Sequence, residues 1–175
     1  MASMNDSPKN KNIVLIGMPG SGKSTVGVLL AKAMSRYFLD TDVFIQAILD
    51  KPLQEIIDNQ GLEAFCKIEE EYVACIDIKN AVIATGGSVV YSEKAMANLG
   101  ADAIIIHLDL PYEDIEHRVR NLYTRGVVME KSQTLKDLYD RRQGLYEKYA
   151  QLTINCAKKS HHQIVNEIKK NYDQP

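Results

Sequence analysis

Short runs of consecutive apolar residues alternate along the chain with longer stretches whose apolar positions recur every three or four residues. The runs Ile13–Ile16, Tyr37–Leu39, Ala81–Ala84, Ala103–Leu108 and Leu152–Asn155 predict five strands. Stretches such as Val26, Leu29, Leu30 and Ala33, then Ile115, Val119 and Leu122, carry the helical period. Strand–helix alternation predicts an α/β fold of three layers, a parallel sheet with helices on both faces. The strands are nearly all apolar rather than alternating, as a sheet buried on both sides requires. Two insertions stand out. Residues 43–79, between the second and third strands, read as helical. Residues 123–134, rich in Gly, Val, Ser and Lys and without a clear period, predict a mobile lid.

The chain has 175 residues, a length that suits one domain with a proper core. Residues 12–172 are expected to form it, with residues 1–11 as a disordered tail. With 25% charged residues and a net charge of −2, the composition points away from nucleic-acid and membrane-surface partners. No apolar run approaches the length of a membrane span. The polar start lacks the apolar segment of an export signal, and three cysteines without a C-x-x-C pair read as reduced thiols, so the cytoplasm is expected. His161-His162, in a lysine-flanked polar stretch, reads as solvated surface.

The chemistry is concentrated after the first strand. Gly17-x-x-x-x-Gly22-Lys23-Ser24 satisfies the P-loop pattern, with an apolar strand before it and a helical pattern starting at Ser24. Small residues at Gly20, Ser21 and Gly22 let backbone N–H groups close around phosphate oxygens, and the helix N-terminus adds unpaired donors and a positive dipole end. Lys23 is placed for the β- and γ-phosphates and the Ser24 hydroxyl for Mg²⁺. A P-loop establishes nucleotide binding, not the reaction. The chain lacks an N-K-x-D guanine-reading motif and is too short for motor modules.

Mg²⁺ also calls for an acidic contact. Asp109 follows an apolar strand, but Leu110-Pro111 after it suggests a helix N-cap. Asp40 and Asp42 are preferred. On an extended backbone their side chains point the same way, so one orients metal-bound water while the next reaches an incoming hydroxyl. Capping of the following helix is the competing role for this pair.

With these residues in view, the chain resembles the shikimate kinases, small P-loop kinases related to the nucleoside-monophosphate kinases, from about Asn12 to Lys169. The matching stretches are IGMPGSGKSTVG, LDTD, GLEAF, IATGG, Arg118 with Arg125 in the lid, and RRQGLYEKYA. The resemblance implies a P-loop kinase fold with a helical substrate-binding insertion and a lid. It implies ATP at Gly20, Ser21, Gly22, Lys23, Ser24 and Thr25, and Mg²⁺ at Ser24 and Asp40. Asp42 is implied as acceptor and base for the hydroxyl to be phosphorylated, Gly86-Gly87 as the turn that approaches the substrate, and Arg142 as the grip on its carboxylate. Arg125 is the implied lid arginine over the transferring phosphoryl, Arg118 the arginine packing on adenine, and Lys159 an edge of the adenine loop. A monomer is implied as well. Absent such matches, Arg118, Arg141 and Arg142 read as solvated helix faces.

Four positions depart from the family pattern. The family's Phe-Arg-x-x-Glu is Phe65-Cys66-Lys67-Ile68-Glu69, which removes the second arginine of the carboxylate clamp. Lys67 is no obvious replacement, because one helical step turns a side chain by about 100°. The family's glycine triplet is Gly86-Gly87-Ser88, whose hydroxyl narrows the substrate pocket or donates into it. Glycine stands at Gly126 and Gly144 where the family has proline, which predicts looser backbone there. The expected activity is thus ATP-dependent phosphorylation of shikimate to its 3-phosphate, in aromatic amino acid synthesis. The rivals are a kinase of another small hydroxylated acid or polyol and a non-catalytic nucleotide-binding regulator.

Overall fold

The computed structural model describes residues 11–120 and 133–172. Five parallel strands, β1 (Asn12–Ile16), β2 (Tyr37–Asp40), β3 (Ala81–Ala84), β4 (Ala103–Asp109) and β5 (Leu152–Asn155), form one sheet in the order β2-β3-β1-β4-β5. The predicted runs match these strands to within one residue at each end. β1 and β3 are buried along their whole length, whereas the edge strands β2 and β5 are partly exposed. β1 lies centrally, flanked by β3 in the register Val14↔Ile83 and by β4 in the register Val14↔Ile105. The chain lays β2 and β3 on one side of it and β4 and β5 on the other. That reversal opens a crevice at the carboxyl end of β1, where open α/β sheets bind ligands.

Helices α1 (Lys23–Ala33), α2 (Thr41–Leu49), α3 (Leu53–Gln60), α4 (Leu62–Ala74), α5 (Glu93–Gly100), α6 (Tyr112–Arg120), α7 (Leu135–Tyr149) and α8 (His161–Tyr172) complete the described chain. The main core gathers the sheet with Val26 and Leu30 of α1, Met96 of α5, Ile115 of α6, Tyr146 of α7 and Ile168 of α8. A second, smaller core joins Ile45, Leu53, Ile56 and Phe65. The insertion expected over residues 43–79 is therefore a three-helix subdomain, α2–α4, with its own apolar centre.

Two boundaries differ from expectation. α2 starts at Thr41 directly after β2, so Asp40 and Asp42 do not share an extended backbone. Asp40 is the cap: its Oδ1 accepts from the Asp42 and Val43 amides at 3.0 and 3.3 Å. Asp109, in contrast, caps no helix. It ends β4, where its carbonyl accepts from the Cys156 amide, and α6 starts at Tyr112 just after Pro111. The sheet pairing of β4 with β5 carries Asp109 one residue further into the strand than its apolar run suggests. Of the lid segment expected over residues 123–134, residues 123–132 lie outside the described residues; Thr134 serves as N-cap of α7 in a capping box with Asp137. Gly144 lies within the unbroken α7 rather than in a loosened turn.

Candidate active site

The phosphate cradle follows β1. Gly22, with φ of 97°, precedes α1 in a left-handed conformation, so the first amides of α1 point back into the loop. Gly20 also has positive φ. Ser21 is buried, and its Oγ has no hydrogen-bond partner among the described residues. Lys23 lies beneath the loop, its Nζ donating to the Gly17 and Met18 carbonyls at 2.8 and 2.9 Å. Those bonds use two of its three hydrogens. Burial pulls its pKa down, and the nearby Asp42 carboxylate partly restores it. Ser24 and Thr25 sit exposed on the first turn of α1.

Asp42 stands in the first turn of α2, where its backbone carbonyl accepts from Gln46 Nε2 while its carboxyl turns toward Gly86. Burial, then the charge of Asp40, raises its pKa, and Lys23 opposes that rise. The helix start that separates Asp40 from Asp42 thus gives them different tasks: Asp40 spends Oδ1 on the cap, and Asp42 faces the cradle.

The turn after β3 lies opposite. Thr41 Oγ1 accepts from the Gly86 amide at 2.9 Å, which ties this turn to α2. A Cβ on Gly86 would collide with Glu69 Oε1 and lie 2.6 Å from Asp42 Oδ1. A Cβ on Gly87 would lie 2.7 Å from an Arg142 nitrogen. Bare backbone is what lets two carboxyls and a guanidinium converge here. Gly86→Ala should therefore cut the acceptor-dependent rate by about tenfold or more while ATP binding persists, because a displaced base costs rate steeply. Parallel measurements of turnover and nucleotide binding check this.

Arg142 is 1% exposed, unlike its exposed neighbour Arg141. Its Nε donates to Tyr91 Oη at 3.2 Å and its guanidinium lies over the Tyr91 ring, yet Nη2 has no partner among the described residues. Glu69, 2% exposed, accepts from Ser88 Oγ at 2.6 Å through Oε2, whereas Oε1 has no partner. The Ser88 hydroxyl is thus committed to Glu69. Lys67 lies on the exposed side of α4, paired with Glu63, and does not replace the missing arginine. Cys66 is half-buried, with burial and Glu69 pushing its thiol pKa up.

Around the nucleotide end, Arg118 Nη1 donates to the Gly20 carbonyl at 3.1 Å, so this arginine reaches the cradle itself. Lys159 lies in the β5–α8 loop and pairs with Glu167 at 2.6 Å. Arg125 lies outside the described residues. The roles of several neighbours are not read from the sequence. Glu69 falls on the buried face of α4 with Phe65 and Val73, and an acid at such a position is the pattern that could have flagged it. His107 stacks on Tyr146 at 4.7 Å beneath the loop, and Tyr146 Oη contacts Met18 Sδ. His161, exposed as expected, comes close to the Gly22 turn.

A phosphate cradle at the centre of a parallel sheet, faced by the half-buried carboxyl of Asp42 on an inserted helical subdomain, defines a P-loop phosphotransferase for small molecules. The family model for shikimate kinase matches residues 19–173. The chain belongs to the shikimate kinase family. It is 33% identical over 159 residues to a shikimate kinase of Persephonella marina, covering 90% of this chain and 96% of that one. It is 39% identical over 149 residues to one of Rippkaea orientalis, covering 82% and 77%. Among solved structures, the shikimate kinase of Acinetobacter baumannii in complex with shikimate superposes with a TM-score of 0.81 at 26% identity, over 92% of each chain.

Proposed function

We propose that this chain transfers the γ-phosphoryl of ATP to a hydroxyl of shikimate, giving shikimate 3-phosphate. The observation that carries this reading is the convergence of Asp42, Gly86 and Arg142 beside the Lys23 cradle. The α1 amides and Lys23 hold the phosphates. Arg142 holds the acceptor carboxylate with Nη2. Asp42 takes the proton of the acceptor hydroxyl as its oxygen bonds to the γ-phosphorus and the bond to the β-phosphate oxygen breaks. Arg118 borders the nucleotide, with Lys159 at the edge of its loop. Arg125, in the segment after α6, is assigned the cation that arrives over the phosphoryl and excludes water.

The donor set suits Mg²⁺. Ser24 offers an exposed hydroxyl beside the cradle, and Asp40 keeps Oδ2 outside its capping bonds. Among the described residues no three acidic, His or Cys side chains cluster as a metal cage. Ser24 and Asp40 are the residues that would hold the ion. When bound, Mg²⁺ would supply neutralisation of the charge that develops on the phosphates. Three free cysteines accord with a cytoplasmic setting, and the family resemblance with a monomer. No described helix is long and apolar enough to cross a membrane.

The single buried arginine of the clamp favours one rival, a hydroxylated acceptor without a carboxylate. A panel of acceptors in an ADP-release assay separates the two. Stimulation by shikimate above its neutral analogues supports the proposal, and stimulation by polyols alone overturns it. Cys66→Arg should lower the shikimate KM by about 10- to 150-fold, the worth of one charge-assisted hydrogen bond.

A further inference from the structure

We propose that protonated Glu69 supplies the second prong of the acceptor clamp, so that an anionic acceptor binds with uptake of a proton at Glu69 Oε1. This rests on the reading that the acceptor presents a carboxylate to Arg142. Cys66, one helical turn before Glu69 on α4, brings no cation to it. Ser88 instead fixes Oε2 at 2.6 Å. Oε1 is left buried and unpartnered against Gly86, while Nη2 of Arg142, whose guanidinium abuts the adjacent Gly87, is unpartnered too. A carboxylate reaching Arg142 next to that glycine pair comes upon Oε1. Two ionised carboxylates there repel, whereas a carboxylic acid donates a short, charge-assisted O–H···O bond to the acceptor.

Groups from four neighbouring parts of the fold bear on the proton of Glu69. α2 contributes Asp42, α1 contributes Lys23, α7 contributes Arg142 and Tyr146, and the turn after β3 contributes Ser88. Cys66 lies on Glu69's own helix. Burial is the largest influence and, with Asp42, outweighs Ser88, Arg142 and Lys23, pushing the Glu69 carboxyl up to about 7. In the free protein near neutrality the acid and its anion therefore coexist. An anionic acceptor draws the group to the acid form, so each acceptor that meets the anion takes one proton from solvent, and one that meets the acid takes none.

Calorimetric titration of the full chain with shikimate, in two buffers of different ionisation enthalpy, counts that proton. Uptake should approach one near about pH 8 and fall toward zero near about pH 5.5, while the shikimate KM rises up to tenfold per pH unit above neutrality. Glu69→Gln, whose amide donates without titrating, should remove most of the uptake and flatten the KM profile; Lys23 and Asp42 account for what persists. Ser88→Ala removes a bond that favours the anion, so it should move the profile's midpoint to higher pH. This second variant keeps the test available should the glutamine disturb folding. Shikimate binding with no proton uptake overturns the inference alone, as does an unchanged pH slope in Glu69→Gln. Shikimate failing to bind at any pH overturns both the inference and the acceptor reading it rests on.

Discussion

Asp42→Asn should lower acceptor-dependent ADP formation by about 10²- to 10⁴-fold in kcat while leaving ATP binding intact. The amide has the size and shape of the carboxyl but accepts no proton. Its position in the first turn of α2 does not depend on its charge, because the cap of that helix is Asp40. Loss of rate is therefore loss of a group acting on the acceptor, not loss of the helix. With ATP on the cradle side of the crevice, as proposed, removing a negative charge near Lys23 should not weaken phosphate binding. The wild-type rate should also rise with pH through a range above that of an ordinary aspartate. Burial and Asp40 favour the protonated form of Asp42, and only the ionised form takes the acceptor's proton. Initial rates with and without acceptor, beside a nucleotide-binding titration, check both statements; a loss under about tenfold would remove Asp42 from the chemistry.

Lys23→Met should produce two effects of opposite sign. Without a cation at the developing phosphate charge, kcat falls by about 10²- to 10³-fold, the scale of removing one preorganised donor. Thermal stability, in contrast, should stay at wild-type level or rise. Burial disfavours the ammonium in the folded chain, and its two bonds to Gly17 and Met18 carbonyls only partly offset that cost. A residue kept for folding would show the reverse. Thermal unfolding beside steady-state kinetics decides; a large fall in Tm would assign Lys23 to the loop's architecture.

Most of the fold was legible because its signal is local. Five apolar runs bounded by polar residues became five strands, and the P-loop's spacing fixed the start of α1. The glycines that make the cradle are needed by the turn itself, so they are visible in one dimension. What escaped was decided by hydrogen bonding at element ends. Whether Asp40 is the last residue of a strand or the first contact of a helix depends on which amides its carboxyl meets, and the spacing of two aspartates does not contain that. Asp109 was pulled into β4 by pairing with Asn155, a residue far along the chain. The acceptor pocket was only half legible. Arg142 and Asp42 were found through the family's motifs. Glu69 is the last residue of the family's Phe-Arg-x-x-Glu stretch, but its place in the pocket, like that of Tyr91, is not legible there, because α4, α7 and the turn after β3 meet only in three dimensions. Ser88 was noticed as a departure, but its partner was not. Its bond to Glu69 makes sense of two departures together: where Cys66 brings no arginine, a hydroxyl engages the carboxyl.

The claim beneath all of this is that the γ-phosphoryl held by the cradle passes to an alcohol beside Asp42. Incubating the full chain with Mg²⁺, γ-labelled ATP and shikimate, then separating the products, tests it most directly. Label should appear in shikimate phosphate, with little free phosphate. Label that stays in ATP, or that appears solely as inorganic phosphate while shikimate is present, would contradict it.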